Sequence, residues 1–363
     1  MKLDGTAIVV APSGRLNLMG RALSLADLLD RAVERVSVFT PDTGPLWPPA
    51  SRWQAEIRRG GTPAESYSDL DPGEVRWVWL VKPLRDGYRA ALQAMDTFTG
   101  ARFVLDVDDD DEGLSREFLA ESPLNWLRLL RSPARRQLLP RAVAHTRHRA
   151  LAEADAFTAA SHAVAGRCGL PEAKTLRLVH SRSIAPQRRD RWPDPAGKTH
   201  LGFFGTVRQH KGVRSIVALV RSDPDLRLHL FAGYESAGLE AIQAQIIEHP
   251  IEERQHRLFE SVDAVLLPQK RSPAGEVQLP AKLLDAMRFG VPILATPTAA
   301  ITEVGGETLT YVEDWDNLDR VRRKVSESQS RGPSSGAEAR RRFEDELSIE
   351  AQLPAVRDFL ARA

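Results

Sequence analysis

Lys211 and Arg208 stand between Gly205, which closes a short apolar run, and an apolar-periodic stretch at 212–221. A glycine turn leading through cations into a helix start suits a diphosphate, because free backbone N–H groups and the helix dipole already favour an anion there. By spacing alone, a solvated basic loop ahead of a helix fits equally well. A second group lies in SPAGEVQLPAKLLDAMRFGVPILA, residues 272–295. Pro280 suits a first helical turn, Lys282 and Asp285 share a face three residues apart, and Gly290 marks the end. There Lys282 can neutralise a phosphate, Asp285 can accept from vicinal ribose hydroxyls, and the 275–279 loop can offer amides. The bland alternative is an exposed Lys282–Asp285 ion pair of a few tenths of a kcal/mol.

A third group is acidic. In FVLDVDDDDE (103–112) a strand runs into carboxylates, and Asp106 and Asp108 fall on the same side of an extended chain. Three readings stand open: a hard-cation site, a solvated acidic loop, or a strand end facing a substrate. In the last, Asp108 is a candidate to take a proton from a substrate hydroxyl, with Asp109 beside it.

The elements needed to position these groups are legible as alternation. Apolar runs at 6–12, 35–41, 76–83, 102–108, 155–161 and 175–181 predict strands in the first half. Those at 200–205, 226–233, 263–268, 291–297 and 309–313 predict strands in the second. Stretches with three-and-four apolar spacing lie between them, including 18–32, 87–99, 212–221 and 281–289. Strand and helix in alternation imply parallel sheets built from βαβ units. The segment RSIAPQRRDRWPDPAG (182–197) has three prolines, four arginines and no periodicity, as a linker does. Two α/β domains follow, with ligands expected outside the carboxyl ends of their strands.

Composition narrows the classes. With 363 residues, 50 Lys plus Arg and 49 Asp plus Glu, the net charge of +1 offers no global field for a polyanion, so nucleic acid is not an expected partner. One cysteine, Cys168, excludes a disulfide scaffold and reads as a small packed residue. No uninterrupted 18-residue apolar run predicts a membrane-spanning helix, and the first residues read as a strand rather than a signal peptide. The expectation is a cytoplasmic protein.

FFGTVRQHKG followed by LPAKLLDAMRFGVPILAT resembles the family-four, or group 1, glycosyltransferases of GT-B fold. ADAFTAAS (154–161) and LRLVHSRSI (176–184) resemble that family's last N-domain strands. The resemblance implies an α/β GT-B protein: two Rossmann-like parallel-sheet domains facing a cleft, with the C-terminal helix crossing back to the first. The implied division is 1–190 for the acceptor, 191–340 for the donor nucleotide, and 341–363 for that helix. It implies sugar transfer from a nucleotide-diphosphate sugar, with retention, no cofactor and no obligatory metal. Gly205, Arg208, Lys211 and Lys282 would meet the diphosphate, with Lys211 stabilising the departing charge, and Asp285 would meet the ribose. Asp108, Asp109, Glu276 and Val277 would approach the donor sugar. The acceptor (glycan, lipid-linked glycan or small molecule) is unassigned; Gly14 and Arg15, after the first strand, would lie on its side.

The chain departs from the family pattern at several points. Thr206 stands where an arginine often follows the turn glycine, Asp285 replaces the second of two glutamates, and eight positions before it is Val277, with Glu276 one residue off. A non-catalytic nucleotide-sugar-binding homologue and a GT-B sugar epimerase are therefore the alternatives. Elsewhere, Ser13-Gly14-Arg15 and Gly20-Arg21 lack a full GxGxxG, so no dinucleotide cofactor site is expected. Lys82-Pro83 ends another strand at the expected cleft edge, where a turn is preferred to a functional contact. Residues 131–149 carry six arginines with His145 and His148. They read as a solvated helix face, or as a contact with a phosphorylated acceptor or with anionic lipid at the inner membrane face, and the two histidines lack partners for zinc.

Overall fold

The computed structural model describes the chain except residues 16–17, 132, 181, 186–195, 206, 208–210, 234–237, 251–254, 331–332 and 363. Two compact units result. One comprises Met1–Ser181 and Gln352–Ala363, the other Arg182–Ala351. Most of the polar segment read as a linker lies outside the described residues.

In the first unit the strands are β1 (Leu3–Val10), β2 (Val33–Thr40), β3 (Glu56–Arg59), β4 (Val75–Val81), β5 (Arg102–Val107), β6 (Ala156–Ala159) and β7 (Thr175–Arg177). They form one sheet in the order β3-β2-β1-β4-β5-β6-β7, and every pairing is parallel. Helices separate successive strands, so the central strands are covered on both faces and run continuously apolar. Ala7 to Ala11 and Val78 to Val81 are wholly buried. Residues of the C-terminal helix Ile349–Arg362 complete this core: Phe359 lies 6.1 Å from Trp79, and Gln352 Oε1 accepts from the Val179 N–H at 3.1 Å.

In the second unit the strands are β8 (Thr199–Gly202), β9 (Leu226–Phe231), β10 (Ile246–His249), β11 (Ala264–Leu267), β12 (Ile293–Ala295) and β13 (Thr310–Tyr311). Their order is β10-β9-β8-β11-β12-β13, again parallel throughout. The core gathers Leu201, Phe203, Ile216, Leu228, Leu266 and Leu294 from strands and helices alike. Residues 182–185 are tied into this unit, since Ile349 N–H donates to Arg182 O at 2.9 Å and Arg340 Nη2 to Ala185 O at 2.7 Å.

Each expected strand is present and ends one to four residues before the expected bound, while β1, β2, β4 and β8 begin one to three residues earlier than expected. Two strands, β3 and β10, had no sequence signal strong enough to predict them. β3 reads EIRR with every residue at least partly exposed, and β10 is four residues at a sheet edge. Edge strands need bury only part of one face, so they carry little apolar alternation. In both sheets the order reverses beside the first strand, between β1 and β4 and between β8 and β11. Crevices at such points are where loops after the strands converge.

Candidate functional site

In the second unit the loop after β8 and the loop after β11 meet. Gly212 sits at φ +69° and caps the helix Val213–Arg221. A Cβ on it would fall 1.9 Å from Pro268 O, so only glycine lets the two loops approach this closely. Gly212→Ala is expected to cost at least about 2 kcal/mol from the clash and the left-handed backbone together, read as a lower urea midpoint.

Lys282 projects from the helix Ala281–Arg288 into this junction. Its Nζ lies 3.5 Å from the Phe203 ring centroid and 3.3 Å from where a Cβ on Gly205 would be. The absence of a side chain at Gly205 therefore makes the space that the ammonium uses. Among the described residues no carboxylate pairs with Lys282. Desolvation, with the nearby positive charge of Lys211 adding to it, holds its pKa well below the ordinary lysine value. Gly205, Lys211 and Lys282 are thus brought together, whereas Arg208 lies outside the described residues. Among the described residues this half-buried ammonium faces another cation and a π face, a setting that suits an anion.

Asp285 is one helical turn from Lys282 but does not pair with it. Arg182 Nε donates to Asp285 Oδ1 at 2.6 Å, and both side chains are largely buried. One carboxylate oxygen of the ribose candidate is therefore engaged. Glu276 is engaged at both oxygens, by Arg271 Nε at 2.7 Å and by the Ala299 N–H at 3.1 Å, while Val277 is buried. The 275–279 loop does not offer the row of amides expected of it. Gly275 N–H donates to Ser272 Oγ at 3.0 Å, Glu276 N–H to Ser272 O at 2.8 Å, and those of Val277 and Gln278 to carbonyls of the same turn.

The first unit holds a second cluster, at the ends of β4 and β5. Lys82 is the only described non-glycine residue with positive φ, at +56°. That left-handed step turns a buried ammonium toward the acidic run, a role that a reading of Lys82-Pro83 as a simple turn missed. Its Nζ lies 2.7 Å from Asp108 Oδ1, 2.8 Å from Asp109 Oδ2 and 3.3 Å from Asp111 Oδ1. Lysine thus stands at the centre of the carboxylates, and among the described residues no group of acids or histidines is arranged to hold a metal ion. Nor is the run a solvated loop: Asp106, Asp108 and Asp110 are buried.

Each aspartate has its own task. Asp106 accepts from Arg21 Nε at 2.9 Å and Nη2 at 2.7 Å, and from Thr158 Oγ1 at 2.7 Å. Arg21 completes its fork with Val179 O at 2.9 Å and Leu178 O at 2.8 Å, forming a fully satisfied buried network. Asp110 caps the helix Asp111–Glu121 through the Gly113 N–H at 3.0 Å and accepts from Arg167 Nε at 2.9 Å. Asp108 is different. Burial pushes its carboxyl up to about 7 against the pull of Lys82, with the charges of Asp109, Asp111 and Asp106 adding to the rise. Its Oδ1 makes no aligned hydrogen bond among the described residues, although it lies within ion-pair distance of Lys82. A carboxyl poised near neutrality beside a buried ammonium is suited to proton transfer.

The loop after β1 is held by a residue that motif reading passed over. Asp42, after β2, accepts from Ser13 Oγ and from the Gly14 N–H at 3.1 Å. Arg15 is exposed, 3.9 Å from Asp42 Oδ2. In the basic stretch, Arg147 is turned inward to Glu112 at 2.7 Å and Asp110 at 3.5 Å, and Arg149 pairs with Glu153. His145 and His148 are exposed, and Cys168 is buried.

No family model matches the chain, and no curated protein matches it in sequence. Solved structures do match. HepE of Anabaena, in complex with UDP and glucose, has a TM-score of 0.71 at 13% identity over 99% of this chain and 100% of that one. Sucrose-phosphate synthase of Thermosynechococcus elongatus has a TM-score of 0.68 at 15% identity over the same shares. A glycosyltransferase of Rickettsia africae has 0.63 at 12%, covering 99% of this chain and 98% of that one. With its two all-parallel sheets, the chain has the GT-B fold of these glycosyltransferases.

Proposed function

We propose that the chain transfers a sugar, of hexosyl or related type, from a nucleotide-diphosphate sugar to an acceptor. The observation that carries this reading is Lys282: a half-buried ammonium beside Lys211, with no carboxylate partner among the described residues, at the strand ends of the second sheet. Such a cation is stabilised by a ligand that brings negative charge, and a diphosphate is the anion that a glycine turn ahead of a helix accommodates. HepE, a structural neighbour, has been solved with UDP and with UDP-glucose, which makes uridine the first base to test.

In the transfer, the bond between the anomeric carbon and the diphosphate oxygen breaks as the acceptor oxygen bonds to that carbon. Lys211 and Lys282 stabilise the charge that builds on the diphosphate. Asp108 takes the proton that the acceptor hydroxyl loses, and Lys82 is a positioning residue that keeps Asp108 in place. With lysines meeting the phosphate charge, activity is expected to survive EDTA. Retention of the anomeric configuration is part of the reading, and NMR of the first product formed checks it.

The engagement of Asp285 by Arg182 favours one second reading, a homologue that binds the nucleotide sugar without turnover. A thermal-shift series with UDP, GDP, ADP, CMP and dTDP tests donor binding, followed by incubation with the matching sugar nucleotides and assay of free nucleotide. A ligand at 100 times its Kd adds about 2.7 kcal/mol of stability, which a melting curve resolves. Stabilisation by one diphosphate with acceptor-dependent release supports transfer. Stabilisation without release supports the binding homologue, product without acceptor supports an epimerase, and no shift with any nucleotide rejects the donor site.

A further inference from the structure

The helix Pro123–Leu130 in the first unit leaves most of its apolar side chains uncovered. Asn125 and Leu129 face inward, and Asn125 Nδ2 holds the helix to Phe118 O at 2.7 Å. Leu124 is 62% exposed, Trp126 49%, Leu127 52% and Leu130 43%, with Phe118 adding to them from the preceding helix. Scattered single apolar residues are ordinary on a surface, but four on one eight-residue helix are not.

The charge around this helix is one-sided. From Ser122 to Ala152 the sequence has seven arginines and no aspartate or glutamate, in a chain whose total charges nearly cancel. Arg147 and Arg149 are paired with carboxylates. Arg128, Arg131, Arg135, Arg136 and Arg141 are exposed, and among the described residues none of them forms an ion pair. Cations with long aliphatic stems, a tryptophan and leucines on one short helix match the boundary between anionic headgroups and acyl chains.

We propose that Pro123–Leu130 and these five arginines form a docking surface for an anionic lipid bilayer, with Trp126 and Leu127 entering the headgroup layer. The contact is thereby placed ahead of Arg147 and Arg149, which are occupied within the protein. It stands apart from the transferase reading, because its assay needs neither nucleotide nor acceptor.

Co-sedimentation of the full chain with vesicles containing phosphatidylglycerol, against vesicles of phosphatidylcholine alone, tests the surface. Binding is expected only to the anionic vesicles, weakening as salt rises. Arg135→Glu with Arg136→Glu is expected to lower the partition coefficient about tenfold or more at low salt. Trp126→Ser with Leu127→Ser is expected to lower it at every salt concentration. All four positions are exposed, and unchanged melting curves verify that the variants fold. Equal sedimentation with both vesicle types, unchanged binding by either double variant, or a dimer that Trp126→Ser with Leu127→Ser dissociates would each overturn the proposal.

Discussion

Asp108→Asn is expected to lower the transfer rate by about 10²–10⁴-fold while leaving the protein more stable at neutral pH than the parent. The two effects share one cause. In the unfolded chain Asp108 ionises near 3.8, and in the folded protein near 7. Between those values the native state binds more protons than the unfolded state, so this group's contribution makes stability fall as pH rises from about 4 to 7. Above 7 the full cost, on the order of a few kcal/mol, is present. A neutral amide in place of the carboxyl carries no such cost, so the variant's stability profile lacks that slope. The rate of the parent should rise with an apparent pKa near 7, and the variant's residual rate should lack that limb. Urea titrations across pH 4–8 and pH–rate profiles check both halves. A variant that keeps its full rate would remove Asp108 from the chemistry.

Lys82 extends the same expectation. Lys82→Met leaves the buried Asp108 and the half-buried Asp109 and Asp111 without their shared cation, at a cost of about 3–5 kcal/mol. That deficit should shrink as pH falls, because burial also raises the carboxyl of Asp111 and protonation removes the repulsion. A purely packing defect would keep the same size at every pH.

The second large effect is expected at Lys282. Lys282→Met should raise the melting temperature of the unliganded protein and weaken its stabilisation by nucleotide. The ammonium is desolvated and repelled by Lys211, so its folded pKa lies below 10.5. From that folded value up to 10.5 the unfolded state binds more protons, and stability rises with pH. Methionine, of similar reach and no charge, removes the burden and packs against Phe203. A hydrogen bond to a charged group contributes about 1.5–3 kcal/mol, so diphosphate affinity should fall by roughly 10–100-fold. Isothermal titration with the nucleotide that shifts the parent measures it. If affinity is unchanged, the anion is held elsewhere.

Much of the fold was legible because parallel strands buried on both faces are written as unbroken apolar runs, such as Ala7 to Ala11 and Val78 to Val81. The helix Val213–Arg221 was legible from its apolar spacing, whereas the left-handed glycine that caps it at 212 was read as its first residue. What escaped was pairing across long separations. Nothing local marks that Arg21 meets Asp106, that Arg182 meets Asp285, or that Asp42 holds the loop at Ser13 and Gly14. Lys82 escaped for another reason. Its backbone is of a kind usually given to glycine, and only the neighbouring strand's carboxylates make a lysine there intelligible.

The first unit is discontinuous in sequence, and that has a consequence for synthesis. Trp79 is sealed by Phe359, yet the 170 residues of Arg182–Ala351 leave the ribosome between the two parts. At 5–20 residues per second, that interval is roughly 10–30 s. Throughout it the nascent first unit presents an apolar face where Gln352–Ala363 will dock. The second unit has time to fold in that window, so maturation ends at the oldest part of the chain, and the nascent protein is most open to chaperone capture there.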